Sequence, residues 1–169
     1  MVNHPYPQTQ PPTTSASALD WSEVVKLLAD PQGTTWLSTV SGEGRVHTTP
    51  VGAFFANGAH YFTSGQGTRK RANLEQNPSC TLCLRAGDYD IVIEGTAAVT
   101  HDEEKVQQLA AFCRSVGWPV EAKGTRLDAP YHAPTTGPAP YDVYEVTPQK
   151  AFVIGITNEG ANHCTRFTF

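Results

Sequence analysis

Arg69, Lys70 and Arg71 stand together in the stretch GQGTRKRANLEQNP, residues 65 to 78, of a chain whose net charge is −4. Thr68 is a suitable N-cap, and residues 69 to 77 read as a short helix that Pro78 ends. Three cations then occupy the first helical turn, where the positive end of the macrodipole disfavours them. An anion bound at that turn removes the conflict. Gly65 and Gly67 would let a backbone approach it, free N–H groups would point at it, and the side chains would neutralise it. Phosphate is the natural candidate. The competing reading, a solvated basic helix face, stays open at this point.

Other chemistry-bearing residues are less well placed. Cys80 and Cys83 have C-x-x-C spacing, but an odd separation in a strand puts them on opposite faces. His163 and Cys164 are adjacent and diverge for the same reason, so the thiols read as structural and no zinc site is expected. Glu94, inside IVIEGT, reads as a carboxylate on an exposed strand face. No Walker A loop, dinucleotide fingerprint or nucleophile elbow is present. An anion site without a self-sufficient catalytic set suits a protein whose chemistry belongs to a phosphorylated cofactor.

The elements that must hold this turn follow from pattern. Residues 1 to 19 carry no charged side chain and four prolines, which reads as a flexible, proline-rich tail. The domain, 20 to 169, opens with DWSEVVKLLADP, where Asp20 and Glu23 form a capping-box pattern. TTWLSTVS (34 to 41), RVHTTPVGAFF (45 to 55) and AHYFTS (59 to 64) read as strands joined by GEG and ANG turns. Pro50 requires an edge position and Gly52 a close approach. SCTLCLRA (79 to 86) and DIVIEGTAAVT (90 to 100) form a further hairpin. Three such hairpins suggest a meander closing towards a barrel.

DEEKVQQLAAFCRSVG (102 to 117) is an amphipathic helix with Val106, Leu109, Ala110, Cys113 and Val116 on its apolar face. Residues 118 to 140 hold five prolines and read as a long ordered or lid-like loop. YDVYEVTP (141 to 148), its partner KAFVIG (150 to 155) and HCTRFTF (163 to 169) complete the strands. The length allows one domain with a proper core. A sequence pI near 5.8 argues against a general binder of nucleic acid or anionic membranes. Without a signal segment or an apolar span, the expected location is cytoplasmic, with reduced thiols.

Over roughly residues 21 to 169 the chain resembles the pyridoxamine 5′-phosphate oxidase-like flavin and deazaflavin split barrels. WLSTVSGEGRVHTTPV resembles the family's opening hairpin. The most specific segment is YFTSGQGTRKRANLEQNPSCTL, which reproduces an S/T-R-K-x-x-N-L-x-x-N-P pattern. IVIEGTAAVTHDEE and PYDVYEVTPQKAFVIG, with TRF, resemble the connecting strand and the C-terminal strands.

The resemblance implies a mainly β, six-stranded antiparallel split barrel with flanking helices, and a homodimer with cofactor at the subunit interface. It implies that Arg69 and Lys70 bind the cofactor phosphate with Thr68 assisting, and that Thr63 and Ser64 end the strand beside it. Thr49, Pro50 and Val51 match the strand whose backbone runs along the ring. Asp90 falls near a position where the oxidases carry Gln, and Arg71 has no assigned role. The oxidases have an arginine where Thr49 stands and a C-terminal W-x-x-x-R-L-x-P absent here, so pyridoxamine phosphate oxidation is not the expected reaction. The expected function is that of an FMN-binding oxidoreductase. The alternatives are a reductase using the deazaflavin coenzyme F-420 and a non-catalytic binder of FMN or another phosphorylated ligand.

Overall fold

The computed structural model describes residues 7–10, 18–156 and 164–169. Its elements in chain order are β1 (Gln8–Gln10), α1 (Trp21–Leu28), β2 (Gln32–Val40), β3 (Val46–Val51), β4 (Ala53–Ala56), β5 (Ala59–Ser64) and α2 (Arg69–Gln76). Then follow β6 (Ser79–Ala86), β7 (Tyr89–Val99), α3 (Glu103–Ser115), β8 (Glu121–Lys123), β9 (Arg126–Asp128), β10 (Tyr141–Gly155) and β11 (Cys164–Thr168).

The capping box at Asp20 forms as its sequence demands. Asp20 Oδ1 accepts from the Ser22 N–H at 2.7 Å, and Glu23 Oε2 accepts from the Asp20 N–H at 3.0 Å. Asn57 and Gly58 both have positive φ (51° and 81°), the conformation that a two-residue turn between twisted strands requires. They join β4 to β5. The hairpins β2–β3, β4–β5 and β6–β7 are all antiparallel.

These hairpins do not stack as a simple meander. The sheet runs β1-β11-β10-β7-β6-β2-β3, with β5 paired to both β4 and β10. The split-barrel class stands, but the strand count is eleven among the described residues rather than six. Part of the excess comes from a break at Gly52, which divides the single strand expected over 45 to 55 into β3 and β4. A side chain at Gly52 would crowd the Trp118 ring. Pro50 is tolerated because β3 is an edge strand.

A second correction concerns 141 to 155. The two paired strands expected there are one continuous strand, β10, with a register shift between Pro148 and Lys150. β10 is long enough to bond β5 and β9 with its first half, β11 with its second, and β7 along nearly all of it. Opposite the irregularity sits Gly95, where any Cβ would collide with the Thr147 carbonyl.

The stretch read as a flexible tail also differs from expectation. Gln8–Gln10 pair with β11, and the Leu19 N–H donates to Thr165 Oγ1 at 3.0 Å. The stretch contributes only backbone groups to these contacts, so its composition does not forbid them. Residues 1 to 6 and 11 to 17 of that stretch, and residue 163 of the last expected strand, lie outside the described residues.

Two cores result. One lies between α1 and the sheet, with Val24, Leu28, Leu37, Phe62, Leu82, Ile91 and Phe167. The other docks α3 through Val106, Leu109, Ala110 and Cys113 onto Phe54, Tyr61 and Val143. Val116, expected on that apolar face, is 63% exposed because α3 ends before it. Cys80 is buried and Cys83 half-buried, as alternate strand faces require. Burial pushes the thiols of Cys80 and Cys113 up to about 12. No cluster of His, Cys, Asp or Glu able to hold a metal occurs among the described residues, and Glu94 is half-buried. None of the described helices is long and apolar enough to cross a membrane.

Candidate functional site

The glycine turn leaves β5 at Ser64 and delivers the chain to the start of α2. Thr68 occupies the N-cap position with extended backbone, but its side chain does not cap the helix. Its hydroxyl turns back instead, 2.6 Å from Ser64 Oγ and 3.0 Å from the Gly65 carbonyl, to which it donates. The consequence favours an anion. The first N–H groups of a helix have no intrahelical partner, and here no side chain of the cap consumes them.

The three cations take three different fates. Arg69 is exposed, with no carboxylate partner among the described residues. Lys70 is 1% exposed, a cation packed inside the protein. Its ammonium donates to the Thr135 carbonyl at 2.9 Å, and burial holds its pKa below the usual lysine range.

Arg71 is engaged internally. Its Nε lies 2.9 Å from Glu75 Oε1 and its Nη1 2.8 Å from Asp142 Oδ2. The hydrogen bond to Glu75 is the main reason its pKa is raised. Asp142 also accepts from Arg126 Nε at 2.7 Å. One buried carboxylate thus serves two guanidiniums and leaves the cluster net positive.

The loop 118 to 140 is the lid-like segment of the sequence reading, and it contains the β8–β9 hairpin that was not expected. Beyond β9 it wraps the buried Tyr141 hydroxyl. That hydroxyl accepts from the Ala133 N–H at 3.2 Å and lies 3.1 Å from the carbonyls of both Tyr131 and Gly137. Thr135 Oγ1 donates to the Pro50 carbonyl at 3.3 Å. Thr136 packs so closely on Gly65 that any Cβ there would strike its carbonyl oxygen. Gly65 therefore accommodates the loop, whereas Gly67 borders open space. Between turn and loop lies a cavity of about 560 Å³, lined by Gln66, Gly67, Thr68, Arg126 and the segment 134 to 140.

Of the residues singled out in the sequence, Ser64, Thr68, Arg69 and Lys70 come together at this turn. Thr63 is the buried neighbour on β5, its N–H donating to the Gly52 carbonyl at 3.2 Å. Thr49 is half-buried, Pro50 is tied to the loop through Thr135, and the Val51 side chain belongs to the core. Asp90 is not brought to the cluster. It stands second in β7, three strands from β3 across the sheet, and its Oδ1 lies 3.1 Å from Arg85 Nε.

Three participants escaped the sequence reading. Asp142 and Arg126 are distant in sequence, with no motif to join them to the triplet. His47 was legible in principle, two residues before Thr49 and so on its face of β3. Burial, and then the charges of Arg69 and Lys70, hold the His47 pKa below its usual value, and its Nδ1 has no partner.

A family profile described as pyridoxamine 5′-phosphate oxidase matches residues 21–155. Curated proteins offer no match. Among solved structures, a conserved hypothetical protein from Mycobacterium tuberculosis is 14% identical with a TM-score of 0.63, covering 89% of this chain and 92% of its own. A NimC/NimA family protein from Clostridium acetobutylicum is 15% identical with a TM-score of 0.60, covering 88% and 90%. A heme binding protein from Mycobacterium smegmatis is 14% identical with a TM-score of 0.59, covering 85% of this chain and 57% of its own. At such identities these likenesses speak for the fold.

Proposed function

The chain belongs to the pyridoxamine 5′-phosphate oxidase family, and on that premise we propose that it is an FMN-binding oxidoreductase with the cofactor phosphate at the start of α2. The observation that carries this reading is Arg69, an exposed cation at a helix start whose N–H groups no side chain caps. The donor set fits a phosphate: a guanidinium and uncapped backbone N–H groups, with the Ser64 and Thr68 hydroxyls able to join by giving up their bonds within the turn. Lys70 would join by exchanging the Thr135 carbonyl for a phosphate oxygen, a stronger acceptor. Thr49, Pro50, Val51 and Thr63 are the residues expected beside the ring. When bound, the isoalloxazine supplies hydride or electron transfer. The protein contributes orientation, charge neutralisation and, through the loop anchored on Tyr141, exclusion of water.

A second reading, coenzyme F-420, is favoured by the cavity beyond Gly67, whose Arg126 extends the basic rim past the helix start. That space would receive an anionic tail longer than one phosphate. We also propose a homodimer that completes the cofactor site. Trp36 is 47% exposed beside the edge strand β3, and a second copy would cover it. Sedimentation should then give about twice the 18.3 kDa chain mass.

The test is titration of the full chain with FMN, F-420 and hemin, and repetition with Lys70→Met, which keeps the buried volume and removes the charge. Preference for FMN, weakened about tenfold or more in the variant, supports the main reading. Preference for F-420 selects the second reading. Preference for hemin, or FMN affinity unchanged in Lys70→Met, overturns the phosphate site. Turnover with a reductant and an acceptor separates an oxidoreductase from a non-catalytic binder.

A further inference from the structure

At the other end of β5 from Ser64, a cavity of about 340 Å³ opens between α1 and the sheet. Its walls are Trp21, Val25, Leu28, Phe55, Ile93 and Phe169, with the exposed Ser22, Lys26 and Gly58 at its mouth. None of its lining residues borders the cavity at α2. One polar side chain interrupts the apolar wall. His60 is 7% exposed, its ring 4.9 Å from that of Phe55, and its Nε2 is buried without a hydrogen-bond partner. A buried polar atom left unpaired costs stability, so a ligand group that pairs with the ring, once the ring turns a nitrogen to the cavity, relieves that cost.

The dimensions set the ligand's size. An apolar cavity of roughly 150 Å³ takes one benzene, so this one admits a body of about two fused rings or an aliphatic equivalent. The lining sets its character, because aromatic and branched aliphatic side chains favour an uncharged apolar body. The imidazole sets its polar group. The ring of His60 is neutral near pH 7, since burial lowers its pKa to about 4. Either nitrogen of a neutral imidazole carries the proton, and a hydroxyl, able to donate and accept, pairs with either tautomer. The terminal torsion of the side chain is soft and roughly two-fold, so a turn of the ring presents either edge to the cavity.

We infer that this cavity is a binding site for a small, uncharged, two-ring aromatic alcohol or a molecule of like shape and polarity, hydrogen-bonded to His60. It is separate from the proposed cofactor site and does not depend on it. His60 and Ser64 stand four positions apart on β5, about 13 Å.

The experiment is calorimetric titration of the full chain with 2-naphthol and with naphthalene, which differ only in the hydroxyl. The expected result is saturable binding of one 2-naphthol per chain, with naphthalene about tenfold weaker, the worth of one hydrogen bond to a group otherwise unpaired. His60→Phe should lower 2-naphthol to the level of naphthalene, and Val25→Trp, which fills the cavity, should abolish both. FMN affinity should be the same in His60→Phe as in the wild type. Equal affinity for the two probes, or no saturable binding of 2-naphthol, overturns the inference, and that comparison needs no variant.

Discussion

The two ends of β5 face opposite chemical problems. At Ser64 the strand runs into a turn crowded with cations, hydroxyls and carbonyls, nearly all of them paired. At His60 it runs through an apolar wall that holds one unpaired nitrogen. Charge at the first end is shared among many groups, so a ligand there must compete with existing partners such as the Thr135 carbonyl. The second end has no competitor for its single unpaired nitrogen. Removing a shared partner should therefore unbalance several groups at once, while a change at His60 should be read as one group's titration.

The largest effect is expected at Asp142. Its carboxylate is 5% exposed and holds both Arg71 and Arg126. Asp142→Ala leaves two guanidiniums without their buried counter-charge, and breaking such a pair costs about 3–5 kcal/mol. Both arginines reach solvent, which places the expected loss near 3 kcal/mol in urea unfolding. A loss no greater than that of an exposed ion pair would show that the two arginines find other partners.

The next effect is at His60 and depends on pH. Its pKa is about 4 in the folded chain and 6.5 as the ordinary value. The unfolded chain therefore binds more protons between these values, and stability falls as pH drops through that window. Between pH 7 and pH 5 the loss from this group is about 2 kcal/mol. His60→Phe should remove that share of the pH dependence. Identical pH dependence in the variant would mean that the imidazole is solvated and that the contrast between the two ends is false.

The smallest effect is at the amino terminus. Deleting residues 1 to 10 removes the three-residue pairing of β1 with β11. A strand so short at a sheet edge should contribute about 1 kcal/mol or less, and FMN affinity should not change. A larger loss would extend the ordered domain back to β1.

Much of this contrast was legible in the sequence. Gly-x-Gly before three cations marked the α2 turn, and Asp20 with Glu23 marked the start of α1. The hairpins followed from their turns because Asn57-Gly58 and Gly87 permit what other residues resist. The fates of the cations did not follow, because they depend on Asp142 and Thr135, which only the tertiary fold brings near. Thr68 misled for a similar reason: its hydroxyl had a choice between capping α2 and bonding Gly65, and the packed loop favoured the second. Pro148, which lacks an N–H, stands where the sequence suggests two strands and the structure has one. The strand absorbs it through the register shift opposite Gly95. The cavity at His60 has no sequence signature, since its walls come from α1, β4, β5, β7, β10 and the C-terminus.

The central claim is that the start of α2 binds the cofactor phosphate, and Arg69 tests it most directly because its side chain is exposed and free of internal partners among the described residues. FMN titration should be compared between wild type and Arg69→Ala, with thermal unfolding of the ligand-free proteins as control. The account predicts unchanged unfolding and FMN affinity lowered about tenfold to a hundredfold, the worth of a charge-assisted hydrogen bond. Arg69→Ala protein that unfolds like wild type and binds FMN equally well would contradict it.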